Sequence, residues 1–261
     1  MSDLKIVRFD AAGPADSGLG VWDEMSADGL ETAPPVQSGH LYYNDEALGL
    51  MSGVWHCTPF VGKMGAYGVD EFMHVLEGSV TIETEDGTET TISAGESFVI
   101  PRGLVCKWKQ TEDMRKFFVI FNDPAKSPIS DASALKVILP NGGDAVNKVE
   151  LTDPSEFIGD MPTQHVHNYY LDASSQFMVG LWDSTAFDRP VQPIDRTELL
   201  CILAGSVTLS DGAGNDQVFS AGDAAFVPKG ANYKWTSTEF VRKFYCIFKP
   251  AEAVAASTAA E

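Results

Sequence analysis

The sequence predicts an all-β protein made of two tandem barrels, and three observations lead to this prediction. The stretch 71–108 occurs again as 198–235, at an offset of 127 residues at both ends and without a gap. Short runs of β-branched and aromatic residues alternate with turns that contain Gly or Pro, as in antiparallel barrels and sandwiches. The composition, with 44% hydrophobic and 10% aromatic residues, is typical of a globular chain.

The repeat gives the domain organisation. It continues outward at the same offset until each copy spans about 80 residues, which is the size of a small domain and too long for a solenoid repeat. We therefore predict a lead-in over 1–39, a first barrel over 40–121, a linker over 122–166, a second barrel over 167–248 and a flexible tail over 249–261.

The strands of the first copy follow one another at regular turns. A hairpin is predicted over 42–55, and an apolar strand follows over 71–83. Turns at 85–87, 94–96 and 101–103 separate the next strands, and the last strand runs over 115–121. The second copy repeats this order. In the linker, the apolar run 135–139 is predicted to be a strand that crosses to the other barrel.

Charge and composition restrict the partners and the compartment. The net charge of −19 argues against nucleic acid and anionic membrane surfaces, because both would repel the chain. The sequence has no apolar run of the ~18–20 residues that a membrane helix needs, and its N-terminus lacks the apolar segment of an export signal. The four cysteines are widely spaced. We expect reduced thiols and a cytoplasmic protein.

The strand that begins at Glu71 is apolar on both faces. Alternation places Glu71 and Met73 on one face and Phe72 and Leu76 on the other, and the strand at Glu198 behaves in the same way. A barrel strand exposed to water would alternate with polar residues. We therefore expect the outer face to be covered, either by the other barrel or by a second subunit, and predict a homodimer.

The motifs of the repeat resemble those of the cupins. Both copies keep the Glu-x6-Gly part of the first cupin motif and the Gly-x5-Pro-x-Gly part of the second, at Glu71, Gly78, Gly95, Pro101 and Gly103 and at Glu198, Gly205, Gly222, Pro228 and Gly230. The chain resembles a bicupin of the RmlC-like superfamily, in the DUF861 branch of ureidoglycine aminohydrolases and ethanolamine-utilisation cupins. This resemblance implies jelly-roll barrels, and it is weak for function because the fold hosts many activities.

The chain departs from the cupin pattern at the metal ligands. The family places a His-x-His before the glutamate, yet no histidine lies within six residues upstream of Glu71 or Glu198. The last histidine of the family motif is replaced by Cys106 in the first copy and by Tyr233 in the second. One carboxylate does not make a first-row metal site, which needs three or four ligands. We predict no metal and no other cofactor.

The two glutamates are the leading candidates for a functional site. One interpretation makes Glu71 a general base and Cys106 a nucleophile, so that both are candidate catalytic residues. The alternatives are that each glutamate is the ion-pair partner of Lys107/Lys234 or Arg115/Arg242, and that Cys106 is a small core residue. The predicted ligand-binding residues are Trp55, Tyr67, Met73, Trp108, Glu198 and Tyr233.

The neighbours of the two glutamates favour the first barrel as the pocket. Gly65 and Ala66 leave room near Glu71, whereas Ile194, Leu200 and Tyr233 are expected to fill the second barrel. We therefore predict a protein that binds or acts on a small polar metabolite in the first barrel, without a standard cupin metal site. A non-catalytic binding or structural bicupin is the alternative, and an enzyme like ureidoglycine aminohydrolase is a second one. The sequence does not decide between an enzyme and a binding protein.

Overall fold

A computed structural model describes residues 4–129 and 131–251 of the chain. These residues form an all-β structure with four 3-10 turns, at Pro14–Asp16, Ala27–Gly29, Ala132–Ala134 and Pro154–Glu156. The flexible tail predicted over 249–261 lies outside the described residues from position 252 onward. No helix in the described part of the chain is long and apolar enough to cross a membrane.

Within the residues that the structure describes, the first half of the chain contributes twelve strands. They are β1 (Val7–Phe9), β2 (Gly20–Val21), β3 (Gln37–Asp45), β4 (Leu50–Cys57), β5 (Phe60–Val61), β6 (Gly65–Ala66), β7 (Asp70–Glu77), β8 (Ser79–Thr84), β9 (Glu89–Ser93), β10 (Ser97–Ile100), β11 (Val105–Gln110) and β12 (Met114–Phe121).

The second half contributes strands β13 to β23. They are β13 (Asn147–Lys148), β14 (Gln164–Leu171), β15 (Phe177–Ser184), β16 (Phe187–Asp188), β17 (Gln192–Pro193), β18 (Thr197–Ala204), β19 (Ser206–Ser210), β20 (Asp216–Ser220), β21 (Ala224–Val227), β22 (Asn232–Ser237) and β23 (Val241–Phe248).

Each half forms a barrel from two antiparallel sheets. In the first, a sheet ordered β10-β7-β12-β4-β3-β2 faces a smaller one ordered β5-β11-β8-β9, with β6 also on β11. In the second, β21-β18-β23-β15-β14-β13 faces β16-β22-β19-β20, with β17 also on β22. The registers agree: Glu71 lies opposite Ile120 and Glu198 lies opposite Ile247. The predicted fold class is therefore confirmed, and the two glutamates occupy equivalent places.

The barrels exchange the segments that precede them. Strand β1, from the lead-in of the first barrel, joins the large sheet of the second by pairing with β21. The linker residue Ile138, which precedes the second barrel, pairs with Val99 of the first. The linker run 135–139, predicted to be a strand that crosses to the other barrel, therefore forms a single β-bridge, and it forms it with the first barrel, which precedes it in the chain. Each barrel is thus extended by a segment that precedes the other barrel in the sequence.

Tyrosines of both barrels, Tyr42 in the first and Tyr169 and Tyr170 in the second, form hydrogen bonds that support this arrangement. The hydroxyl of Tyr42 donates to the carbonyl of Asp10 at 3.1 Å and accepts from its N–H at 3.0 Å. Tyr169 makes the equivalent pair of bonds to Asn141, at 2.8 and 3.2 Å. The next tyrosine, Tyr170, donates to the Asp70 carboxylate of the first barrel. The tyrosines kept in both copies therefore link the barrels.

Side-chain alternation divides the core into three parts. Met73 and Val75 point into the first barrel, and the cluster around Leu200 and Ile202 fills the second. Phe72 points the other way, into an apolar layer between the barrels to which both halves contribute. Barrel-on-barrel packing therefore covers the outer face, which was one of the two alternatives that the sequence left open. The predicted homodimer stays a prediction, without support from that face.

The glycine seven residues after each motif glutamate is required for steric reasons. Gly78 and Gly205 have φ angles of +73° and +74°, in the left-handed region that residues with a Cβ rarely adopt. A Cβ there would lie 2.1 Å from the carbonyl oxygen of Asp113 and 2.0 Å from that of Phe240. The motif glycine thus allows a close turn after the glutamate strand.

Candidate functional site

Glu71 lies inside the first barrel, bonded to two side chains. It is 4% exposed, and its Oε1 accepts from the Nζ of Lys116 at 2.8 Å. Its Oε2 accepts from the hydroxyl of Tyr67. Lys116 comes from β12, next to β7, and lies on the same face of that strand as Phe118 and Ile120, so it points into the same interior. The result is a buried Tyr–Glu–Lys cluster with both carboxylate oxygens occupied.

Aromatic rings surround the ammonium group of this cluster. The Nζ of Lys116 lies 4.8 Å from the ring centroid of Trp55 and 4.8 Å from that of Trp108. It also contacts the sulfur of Met73 at 2.9 Å. An ammonium group over the face of an indole ring is attracted by the ring quadrupole, and more strongly where water is excluded. The rings and Glu71 therefore stabilise the buried charge of Lys116 together.

A cavity of about 300 Å³ lies next to the cluster of Tyr67, Glu71 and Lys116. Its lining is mostly apolar, and the polar groups of Tyr67, Glu71 and Lys116 lie together in it; the remaining lining residues are Trp22, Met25, Trp55, Phe60, Trp108, Phe118 and Ile120. Trp22 and Met25 come from the lead-in. The Trp22 ring packs against Gly39, where a Cβ would lie 2.4 Å from it. The lead-in therefore completes the wall of this cavity.

The second barrel repeats the buried pair but surrounds it differently. Glu198 accepts from Lys243 Nζ at 2.6 Å, and the Nε and Nη2 of Arg196 lie 3.0 Å from its other oxygen. Burial raises the pKa of Glu198, but the positive charges of Lys243 and Arg196 outweigh burial and hold the pKa below its ordinary value. Lys243 lies 4.9 Å from the ring centroid of Trp182 and 5.1 Å from that of Trp235.

The second barrel is not filled, contrary to the expectation from Ile194, Leu200 and Tyr233. A cavity of about 210 Å³ remains beside Glu198. Tyr233 forms part of its wall, and burial, followed by the charge of Glu198, raises the pKa of the Tyr233 hydroxyl. The hydroxyl therefore stays a neutral donor at physiological pH.

The structure brings most of the predicted site residues together. Glu71, Tyr67, Trp55 and Trp108 line the larger cavity, and Met73 contacts Lys116 below it. Glu198 and Tyr233 line the cavity of the second barrel. Cys106 lies in the wall of an adjacent cavity of about 210 Å³, which shares Tyr67 and Trp108 with the cavity beside Glu71. Burial raises the pKa of its thiol to about 11, so the thiol is protonated at neutral pH.

The expected ion-pair partners of the glutamates were wrong. Lys107 contacts Glu31 and Glu83, and Lys234 contacts Asp188. The two arginines pair elsewhere as well, Arg115 with Glu77 and Arg242 with Asp183. The partners are the lysines that follow these arginines, because in a strand only every second side chain points inward. The runs 115–117 and 242–244, kept in both copies, carried this signal.

The residues around Glu71 and Glu198 do not fit a metal ion. Within 4–129 and 131–251, no three His, Cys, Asp or Glu side chains are grouped as metal ligands. The buried ammonium groups of Lys116 and Lys243 already lie against the two carboxylates, at 2.8 and 2.6 Å. A metal ion at the same carboxylate would repel this charge. In each barrel, a lysine lies against the motif glutamate, and in the second barrel Arg196 is a further cation beside it.

The EutQ-like cupin domain model matches residues 48–118 and 171–245, which together make up more than half of the chain. The chain belongs to this cupin family. Both matched segments carry the motif glutamate and its lysine partner, so this cupin has two equivalent buried pairs. A search of curated proteins found no match.

Solved structures of other cupins share the fold. A protein of unknown function from Pseudomonas syringae pv. tomato, in the DUF861 family, is 27% identical, with a TM-score of 0.77, covering 93% of this chain and 99% of that one. Ylba from E. coli, also in DUF861, is 11% identical with a TM-score of 0.56, covering 97% and 95%. Salicylate 1,2-dioxygenase from Pseudoaminobacter salicylatoxidans is 9% identical with a TM-score of 0.50, covering 77% and 70%. The last two likenesses show the fold alone.

Proposed function

We propose that this cupin binds a small amphipathic molecule in the first barrel, without a metal ion and with a hydrogen-bond acceptor directed at Lys116. The observation that carries this proposal is a buried Lys–Glu pair inside an aromatic cavity of about 300 Å³. Mostly apolar cavities with a few convergent polar groups are the usual form of small-molecule sites. A structural role with self-filled barrels fits less well, because both barrels keep a cavity.

The cavity selects the chemistry of the ligand. Trp22, Trp55 and Trp108 offer flat apolar surface to a ring or short chain. An ammonium group has three N–H donors, and Glu71 and Met73 account for two of those of Lys116. The third is available to an oxygen acceptor. Because the Lys–Glu pair has no net charge, a neutral ligand with a carbonyl or hydroxyl group matches the site best.

The geometry favours binding over acid–base or nucleophilic chemistry. Both oxygens of Glu71 already accept hydrogen bonds from Tyr67 and Lys116, so a ligand would have to displace one of these donors to use the carboxylate as a base. The protonated thiol of Cys106 is a weak nucleophile. The catalytic roles predicted for these two residues stay predictions, and a binding role uses the contacts as they stand.

The test compares neutral aromatic probes with and without an acceptor. Acetophenone and ethylbenzene have similar size, and their binding is followed by the fluorescence of Trp22, Trp55 and Trp108, which line the cavity. We expect acetophenone to bind more tightly. The double variant Glu71→Gln/Lys116→Met removes both charges while keeping the side-chain volumes similar, and should remove the preference for acetophenone.

The repeat supplies a matched control. Glu198→Gln/Lys243→Met makes the same change in the second barrel and should leave the preference intact. Equal binding of the two probes to the unmodified protein would refute the proposed role of Lys116. If only the second-barrel variant lost the preference for acetophenone, the binding site would lie in the second barrel and the proposal would be wrong.

A further inference from the structure

The cavity of the second barrel is positively charged in a strongly acidic protein. The chain carries a net charge of −19, yet Arg189, Arg196 and Lys243 line this cavity against a single carboxylate, that of Glu198. Two other acids lie near the arginines. Glu156 is 3.9 Å from Arg189 and 54% exposed, and Asp195 is 3.5 Å from Arg196 and 61% exposed. Solvent screens both, and Asp195 also pairs with Lys249 at 2.7 Å.

We propose that the second barrel is a separate binding site for a small organic carboxylate, recognised by Arg189 and Arg196. The inference is independent of the ligand proposed for the first barrel. Guanidinium groups bind carboxylates through two parallel hydrogen bonds, which gives geometric specificity as well as affinity.

Arg189 has donor capacity that the protein does not use. Its Nε is buried and has no hydrogen-bond partner, and of the four such atoms found in the described residues it is the one in this cavity. Leaving a buried charged donor unpaired is costly, so an acceptor in the cavity would stabilise the group. The Nε and Nη2 of Arg196 bind Glu198. Its Nη1 makes only a long contact of 3.5 Å with Asp195, so this nitrogen is available to a ligand.

The rest of the wall accommodates an apolar remainder and further polar contacts. Trp182, Phe187 and Trp235 provide aromatic surface. The hydroxyl of Tyr233 lies within the electrostatic influence of both arginines, which lower its pKa while burial and Glu198 raise it. A ligand with one carboxylate and a small ring or chain matches this combination better than an inorganic anion, which offers nothing to the aromatic surface.

The first barrel lacks these charges at the equivalent positions. At the offset of 127 residues, Arg189 corresponds to Gly62 and Arg196 to Val69, and a tyrosine of the second cavity, Tyr245, corresponds to Phe118. The buried Lys–Glu pair is common to both barrels. The two copies therefore share the buried Lys–Glu pair and differ in the surrounding groups that would select a neutral or an anionic ligand.

Isothermal titration calorimetry with benzoate, benzamide and inorganic phosphate tests the proposal on the full-length chain carrying Glu71→Gln/Lys116→Met, so that the neutral carbonyl of benzamide has no ammonium partner in the first barrel. We expect benzoate to bind and the other two to bind at least tenfold more weakly. Arg189→Met and Arg196→Met should each weaken benzoate binding by about tenfold to a hundredfold, the loss typical of a charge-assisted hydrogen bond. Both side chains are partly exposed, 22% and 33%, so the protein should accept methionine.

Further variants separate charge from geometry and one barrel from the other. Arg189→Lys keeps the charge but not the paired donors, and should recover only part of the affinity. Glu71→Gln/Lys116→Met, in the first barrel, should leave benzoate binding unchanged. Benzamide or phosphate binding as tightly as benzoate would overturn the assignment to an organic carboxylate. Undiminished benzoate binding in the folded Arg189→Met protein, or its loss in the first-barrel variant, would overturn the site.

Discussion

Removing the buried lysine should destabilise the first barrel more than the second. Lys116→Met leaves the carboxylate of Glu71 buried, with only the neutral hydroxyl of Tyr67 bonded to it. At 2.8 Å and an effective dielectric constant of ~20, the lost attraction is about 6 kcal/mol, partly offset because Lys116 no longer has to be desolvated. Breaking a buried pair by removing one partner typically costs about 3–5 kcal/mol, and we expect a loss of that size.

Lys243→Met should cost about 1–2 kcal/mol, because Glu198 keeps a charged partner. Two nitrogens of Arg196 lie 3.0 Å from its Oε2. The contacts with tryptophan rings do not explain a difference, since each lysine lies about 5 Å from two ring centroids. The comparison thus isolates the contribution of Arg196.

Guanidinium-induced unfolding of the two variants measures both costs. We expect a lower midpoint for Lys116→Met than for Lys243→Met, with similar slopes, and partial recovery in Glu71→Gln/Lys116→Met, which buries no unpaired charge. The reasoning fails if Lys243→Met is as destabilising as Lys116→Met. It fails also if the double variant is no more stable than Lys116→Met alone.

Two other predictions concern the thiols and the exchanged strand. In the native protein, the cysteine thiols should react slowly with Ellman's reagent at pH 8 and faster as the pH rises. The reason is that burial raises the pKa of Cys106 to about 11 and the pKa values of Cys57 and Cys201 to about 12. Rapid reaction at pH 8 would contradict this prediction. Phe9→Ala should cost about 3–5 kcal/mol and speed amide exchange in β21, because the Phe9 ring stacks on Phe226 of the second barrel at 5.7 Å. Val21→Ala, at a side chain 82% exposed, is the control and should change stability by less than about 0.5 kcal/mol.

The fold was predictable because its signals are local and occur twice. The turn glycines Gly78 and Gly205 mark the same bend in both copies, and the alternation around Glu71 correctly indicated two buried faces. The exchange of lead-in segments was not predicted, because β1 pairs with a strand more than 200 positions away. A weak signal exists in the similarity of Lys5-Ile-Val to Lys136-Val-Ile, but its offset differs from that of the main repeat.

The candidate site was predictable in part. The sequence indicated Glu71, Tyr67 and the two tryptophans, since each is a motif residue, lies close to one or is repeated. It did not indicate Trp22, because nothing in the sequence of the lead-in shows which barrel it covers. The sequence did not indicate Arg189 and Arg196 either, because they are not repeated in the first copy. The repeat marks positions where the two copies agree, whereas Arg189 and Arg196 stand where the first copy has Gly62 and Val69.

The lysine partner of each motif glutamate restricts the surrounding residues less than a metal site would. A metal site restricts several neighbouring residues to ligands with fixed geometry. A lysine on the adjacent strand needs only the glutamate and a pair of aromatic rings, and both barrels keep these. The residues around the pair are then free to change, as Gly62 and Val69 differ from Arg189 and Arg196. The preference proposed for each cavity, a neutral ligand in the first and an anionic one in the second, rests on these surrounding residues, because the Lys–Glu pair itself has no net charge.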